Sequence, residues 1–224
     1  MLKLAGIQEK RRNQLAELLR RSGPIISVSD AKKALNLPDS SVTKLLARWA
    51  EQGWLSRIRR GIYSSVSLKA RSPEDSIENP WIIAEQIATP CYIGGWSAAE
   101  HWGLTEQIYR TIVVMTTRTF SKKKITVQGS ELWIKKIPQK KFFGTRIIWM
   151  SGVRVHISDE AKTIADMLDD PAIAGGARSL KDIFATYLRA NSDISQLLVH
   201  ISKLDNGAIA KRLGYLLEQN GFDN

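Results

Sequence analysis

The sequence predicts an α+β protein: an N-terminal winged helix-turn-helix, followed by a mixed domain with an antiparallel sheet and a C-terminal helical bundle. Three observations lead there. Helix-period segments with a basic hairpin fill the N-terminal third, β-prone runs dominate the middle, and helix-period segments return after Ser158. The boundaries read as a winged helix at 1–68, a linker at 69–80 and an α+β domain at 81–224, with the sheet over 91–157 and helices over 158–220.

In the first part, a helix from Gln8 to Ser22 puts Leu15, Leu18 and Leu19 on one face and Lys10, Arg11 and Arg12 in its first turns, and Gly23-Pro24 stops it. Ser29 is placed to cap a short helix carrying Ala31, Ala34 and Leu35, which ends at Asn36-Leu37-Pro38. Asp39 or Ser40 then caps a third helix that runs to Gln52 and is closed by Gly53. Val42, Leu45, Leu46 and Trp49 fall at i, i+3, i+4 and i+7 and form its core stripe. The other side shows Ser40, Ser41, Thr43, Lys44, Ala47 and Arg48, small polar and basic residues of the kind a DNA major groove admits.

Two β-prone runs, Trp54 to Ile58 and Ile62 to Val66, flank Arg59-Arg60-Gly61, where glycine supplies the positive φ of a hairpin tip. Arg57, Arg59 and Arg60 crowd that tip, and guanidinium groups there clamp phosphates or enter a narrow minor groove. The DNA-contacting set is therefore read as Ser40, Ser41, Thr43, Lys44, Arg48, Arg57, Arg59 and Arg60. The competing readings are a plain three-helix bundle with a solvated hairpin, or a winged helix that docks protein.

Charge placement argues against the second of these. The net charge of +11 is segregated: residues 1–71 hold 15 Lys/Arg against 5 Asp/Glu, and residues 110–154 hold 11 against 1. Residues 72–109 hold none against 6, and residues 155–224 hold 7 against 10. A cluster of cations on one small module is the footprint of a polyanion binder. Double-stranded DNA is the expected partner.

The remainder reads as another type of domain. A helix from Trp81 to Ala88 ends at Thr89-Pro90; Cys91-Tyr92-Ile93 leads through Gly94-Gly95 to a helix from Trp96 to Trp102. Thr111 to Thr117, Lys124 to Val127, Leu132 to Ile137, Arg146 to Trp149 and Val153 to Ile157 are strand candidates, and Ser151-Gly152 is a tight hairpin. Ser158 or Asp159 caps a helix to Leu168, and helices follow over Leu180 to Arg189, Ile194 to Leu204 and Gly207 to Gln219. Arg212 is placed either for a buried-edge ion pair with Asp166 or Asp169 or for contact with a partner.

Several functions lack their minimal parts. One cysteine, Cys91, allows no disulfide framework or multi-cysteine metal site, and there is no GxxxxGK[ST], HExxH or GxSxG. His101, His156 and His200 have no carboxylate at ligand spacing, and the paired acids feeding a carboxylate-x-Lys on a strand that a metal-dependent nuclease needs are not met: Glu131 precedes Trp133-Ile134-Lys135 at the wrong spacing, and Asp169-Asp170 is followed at once by Pro171. The reading is a non-enzyme with no cofactor and no metal. The N-terminus lacks a secretory apolar core and no run of eighteen apolar residues occurs, so no membrane is expected and the location reads as cytoplasmic.

GGWSAAEHWGLTEQ (Gly94 to Gln107) with the β run ending in Thr116-Thr117, SDEAKTIADMLDDPAIAGG (Ser158 to Gly176) and RLGYLLEQNG (Arg212 to Gly221) resemble the AbiEi antitoxins, and a winged helix ending in GIYS (Gly61 to Ser64) stands where that family has one. The resemblance implies the antitoxin of a bacterial abortive-infection toxin–antitoxin pair whose toxin resembles nucleotidyltransferases. It implies that the winged helix binds promoter inverted repeats and represses the operon, and that the C-terminal domain counteracts the toxin, directly or indirectly. A monomer in solution with two copies on the operator follows. The alternative is a winged-helix regulator whose C-terminal domain senses a ligand or a protein, with no toxin. The second basic block, Lys122, Lys123, Lys124, Lys135, Lys136, Lys140, Lys141 and Arg146, is a solvated face, a site for acidic toxin surface or the toxin's nucleotide or RNA, or a source of added non-specific DNA contact; the last is the expectation.

Overall fold

The structure is a computed structural model that describes residues 9–23, 25–66, 79–127, 129–190 and 193–221. Apart from Asn79 and Pro80, the linker read over 69–80 lies outside the described residues, as do Gln8, Pro24, Asn191-Ser192 and the side chains of Lys10 and Arg59. The chain divides into two compact units, Met1–Ile87 and Ala88–Asn224. The helix expected at the head of the second domain, Pro80–Ala88, thus clusters with the first unit up to Ile87.

The first unit is a winged helix-turn-helix. Its order is α1 (Glu9–Ser22), β1 (Ile25–Ser27), α2 (Val28–Leu35), α3 (Asp39–Glu51), β2 (Leu55–Arg59), β3 (Ile62–Ser65) and α4 (Pro80–Ala88). The core is the stripe read from the sequence: Leu15 and Leu18 of α1 meet Val42, Leu46 and Trp49 of α3, with Leu45 half-buried beside them. Strand β1 has no signature in the sequence, because three residues are too few to show alternation; it pairs antiparallel with β3, Ile26 facing Tyr63, in a sheet ordered β1-β3-β2. This short strand also moves the start of α2. Ser27, not Ser29, is the cap: its hydroxyl accepts from the Asp30 amide while the Asp30 carboxylate accepts from the Ser27 amide, a reciprocal capping box. Pro38 precedes α3 without a side-chain cap, so neither Asp39 nor Ser40 fills that role. The wing turns at Gly61, φ +80°, and β2 carries a bulge between Arg57 and Arg59.

The second unit is α+β. It comprises β4 (Cys91–Ile93), α5 (Gly95–His101), β5 (Thr111–Thr116), β6 (Lys124–Val127), β7 (Ser130–Lys136), β8 (Thr145–Met150), β9 (Val153–Ser158), α6 (Glu160–Asp169), α7 (Ala177–Arg189), α8 (Ile194–Leu204) and α9 (Gly207–Glu218), with short 3-10 turns at 139–141 and 171–174. The expected antiparallel sheet is mixed. In the order β6-β7-β5-β4-β9-β8, the β4–β5, β6–β7 and β8–β9 pairs are antiparallel, but β5–β7 and β4–β9 are parallel. The cause is insertion: β7 slots between β5 and β6, so it runs alongside β5 in the same direction. The near-continuous Ile112-Val113-Val114-Met115, buried throughout, marks β5 as a central strand covered on both faces.

The Gly-Gly-Trp-Ser run has a mechanical explanation in this sheet. Trp96 Nε1 donates to the Thr111 carbonyl (2.6 Å), Ser97 Oγ accepts from the Val113 amide (3.1 Å), and Trp102 Nε1 donates to the Ser158 carbonyl (2.7 Å), so α5 is pinned to β5 and to the end of β9. So tight a seat leaves no room for a Cβ at Gly95, which has φ +54° and would meet the Ile173 carbonyl at 2.6 Å.

Helix α6 is enclosed: every residue from Ala161 to Leu168 is buried, Lys162 and Asp166 included. Their side chains form an ion pair, Tyr92 Oη donates to Asp166 at 2.8 Å, and the Lys162 ammonium lies 4.5 Å from the centre of the Phe143 ring. Burial raises the Asp166 carboxyl against the pull of Lys162, and burial followed by the Asp166 charge raises the Tyr92 phenol. Arg212 meets neither carboxylate expected of it. It donates to the Leu168 and Asp169 carbonyls, closing the C-terminal end of α6.

Gly95→Ala is expected to cost roughly 2–5 kcal/mol, a left-handed backbone penalty plus overpacking, whereas Gly129→Ala, φ +78° with open space around it, costs about 1–2 kcal/mol. Urea midpoints of the two variants check this; equal shifts would contradict the seating of α5.

Candidate nucleic-acid interface

A helix that buries Val42, Leu46 and Trp49 has to turn the opposite side outward. Ser40, Ser41, Thr43, Lys44 and Arg48 lie on that outward side of α3, and all five are exposed. Arg57 and Arg60 are exposed on the wing, and the backbone of Arg59 closes β2. Thr43 has committed its hydroxyl proton to the Asp39 carbonyl (2.8 Å), which leaves it an acceptor toward a partner.

Ion pairing decides which cations of this unit are available to phosphate. Arg20 and Arg21 both bind Glu17, and Lys32 holds Asp39 at 2.9 Å. Among the described residues, Lys44, Arg48, Arg57 and Arg60 meet no carboxylate within 4 Å. The same holds for Arg11 and Arg12 at the start of α1 and for Lys33 on α2, an exposed lysine outside the expected DNA-contacting set. Helical spacing places Glu51 on the same side as Lys44 and Arg48, also exposed, so a carboxylate ends the basic strip at the C-terminus of α3. Every described cation on the outer side of α3 and on the wing is therefore free of an internal carboxylate.

The second basic block is divided by the fold. Lys124 pairs with Glu131 (2.9 Å), Lys135 with Asp170, Lys141 with Asp169, and Arg146 with Glu160 (3.3 Å), while Lys136 donates to Thr119 (2.8 Å). Lys122, Lys123 and Lys140 remain exposed without such partners. The acidic residues that neutralise this block come mostly from 155–224, which a linear charge map assigns to a separate segment.

Among the described residues, no three of His, Cys, Asp and Glu gather as a metal site, and no helix is long and apolar enough to cross a membrane. His200 is buried with Nε2 3.1 Å from the Asp159 carboxylate that caps α6, a contact between residues that lie 41 positions apart in sequence.

Burial pushes the Asp169 carboxyl up, but hydrogen bonds from Lys141 and Asn206 outweigh it and hold the group below the usual carboxylate range. With a depressed folded value, its stabilisation is present above the unfolded pKa of about 3.9 and is lost as the pH falls through the folded value. Asp169→Asn should therefore make the urea midpoint less sensitive to pH between about 5 and 2. An equally steep acid limb in the variant would exclude Asp169 as a contributor.

A comparison with curated proteins gives no match. Residues 13–66, from within α1 to the end of the wing, match the family model described as transcriptional regulator, AbiEi antitoxin. The resemblance to the AbiEi family thus has its support in the winged helix, and the strings at 94–107, 158–176 and 212–221 lie beyond the matched residues.

Proposed function

We propose, for a chain whose residues 13–66 match the AbiEi antitoxin transcriptional regulators, that it is the antitoxin of a bacterial toxin–antitoxin pair and the repressor of its own operon. The winged helix binds inverted repeats in the promoter, with α3 in the major groove and the wing on the flanking backbone. The second unit counteracts a nucleotidyltransferase-like toxin. The chain acts in the cytoplasm without enzymatic activity of its own, as a monomer that places two copies on the operator.

One observation carries the DNA half of this reading: the described cations on the outward side of α3 and on the wing have no carboxylate partner within the fold. A side chain already tied to Glu17 or Asp39 gives up an ion pair to reach a phosphate, whereas Lys44, Arg48, Arg57 and Arg60 give up hydration and freedom of rotation alone. The alternative, a winged-helix regulator with a sensing second unit and no toxin, draws on the fact that the family match stops at residue 66.

Gel shifts with the chain's own upstream DNA test the interface. Lys44→Ala or Arg48→Ala should weaken specific binding and, for a side chain that reads a base edge, remove about 1–3 kcal/mol of discrimination at one position. Arg57→Ala and Arg60→Ala should weaken all sequences alike and reduce the log–log salt slope by about 0.9 for each phosphate that the variant no longer neutralises. In cells, the full chain with Lys44→Ala and Arg48→Ala should still relieve the toxicity of the neighbouring gene product while failing to repress. A double variant that represses normally overturns the recognition helix; a wild-type chain that leaves toxicity unchanged overturns the antitoxin role.

A further inference from the structure

We infer that the second unit contains a binding site for an oligophosphate anion such as a nucleoside triphosphate, formed where residues 117–123 pass over the carboxyl end of β7. The topology builds the site. Because β5 and β7 are parallel and β6 lies outside β7, the chain leaving β5 at Thr116 has to cross the end of β7 to enter β6. The crossing is fastened at two points: the Lys123 carbonyl accepts from the Ile134 amide (2.6 Å), and Thr119 Oγ1 accepts from Lys136 Nζ (2.8 Å). Beneath it is a cleft of about 350 Å³. The region outside the carboxyl ends of parallel strands is where open sheets commonly receive ligands.

The chemistry of the lining is one-sided. Arg118, Lys122, Lys123, Lys135 and Lys136 line the cleft, and no carboxylate does. Lys135 has a counter-ion outside the lining, Asp170, yet its ammonium lies below the usual lysine range, first through burial and then through repulsion from Lys123. Like charges gathered in a concave site are relieved by a multivalent anion, and a chain of phosphates offers several negative oxygens to them at once.

Two half-buried aromatics complete the lining. Arg118 stands 6.0 Å from the centre of the Phe120 ring, and Lys135 stands 5.6 Å from that of Trp133. Such rings are suited to a flat base beside the phosphates. A cleft of this volume is within the range of about 300–1,000 Å³ typical of small-ligand pockets. Its concavity disfavours duplex DNA, whose phosphates lie on the outside of a cylinder. The site differs from the DNA interface in residues and in ligand, so its failure would leave the repressor reading untouched.

Isothermal titration of the full chain with inorganic triphosphate, ATP and an octathymidylate tests the proposal, beside Lys122→Glu/Lys123→Glu and a Lys140→Glu control outside the cleft lining. The wild type should bind triphosphate and ATP saturably at one per chain. The double variant should lose at least tenfold in affinity while Lys140→Glu keeps it. Equal affinity for the two compounds places recognition in the phosphates; tighter ATP adds the aromatic lining. Absence of binding, binding of the octathymidylate alone, or an equal loss in the Lys140→Glu control overturns the site. Operator affinity of the double variant, measured in parallel, reports separately on the winged helix.

Discussion

A charge pair sealed inside a helix that has no solvent face organises the second unit. Removing an ammonium and a carboxylate from water costs several kcal/mol per ion, and the attraction between Lys162 and Asp166 offsets that only with good geometry and further polar partners. The fold provides them: Tyr92 donates to the carboxylate, while the Phe143 ring faces the ammonium. Each partner comes from a different part of the chain, so α6 can rotate or slide little without stranding a charge. The ends of the helix are held too, by Asp159 at the start and Arg212 at the carbonyls of the last turn. Trp102 reaches from the end of α5 to the Ser158 carbonyl at the junction of β9 and α6. What looks in sequence like three separate strings is thus one mechanical assembly around α6.

The same rule, that a charge taken inside the fold is no longer free, governs the surface. Net charge alone makes the two basic blocks look equivalent. Pairing separates them, because half of the second block is tied to carboxylates while the described cations on the outer side of α3 hold none within 4 Å. Glu51, about two turns beyond Lys44 on the same exposed side, confines the basic strip to the part of α3 that precedes it. It leaves a repulsive end where a backbone phosphate would otherwise approach.

Most of the first unit is legible in the sequence because its signals are local. The stripe of Val42, Leu46 and Trp49, the glycine at the wing tip and the arginines around it depend on neighbours a few positions away. Ser27 and β1 are hidden for a related reason: a strand of three residues has no period, and without it Ser29 is as good a cap as Ser27. In the second unit the helices and strand positions are readable, but the pairing of strands is not, since β7 reaches β5 only by passing inside β6. The continuous apolar run of β5 is the one sequence signal of its central place. Lys162 is opaque for the opposite reason, because a lysine in a helix is read as solvated unless its partners, 70 positions away at Tyr92 among them, are known.

Two kinds of cationic surface result, and the ligands proposed for them differ with their geometry. On α3 the cations stand out from a convex helix, the arrangement that the proposed contact with DNA requires; their spacing matters less than their exposure. Under residues 117–123 the cations line a concave cleft, and the compact anion proposed there is one that several of them can approach together. The parallel pairing of β5 and β7, which no local pattern in the sequence announces, is what turns a run of lysines from an exposed face into a concave one.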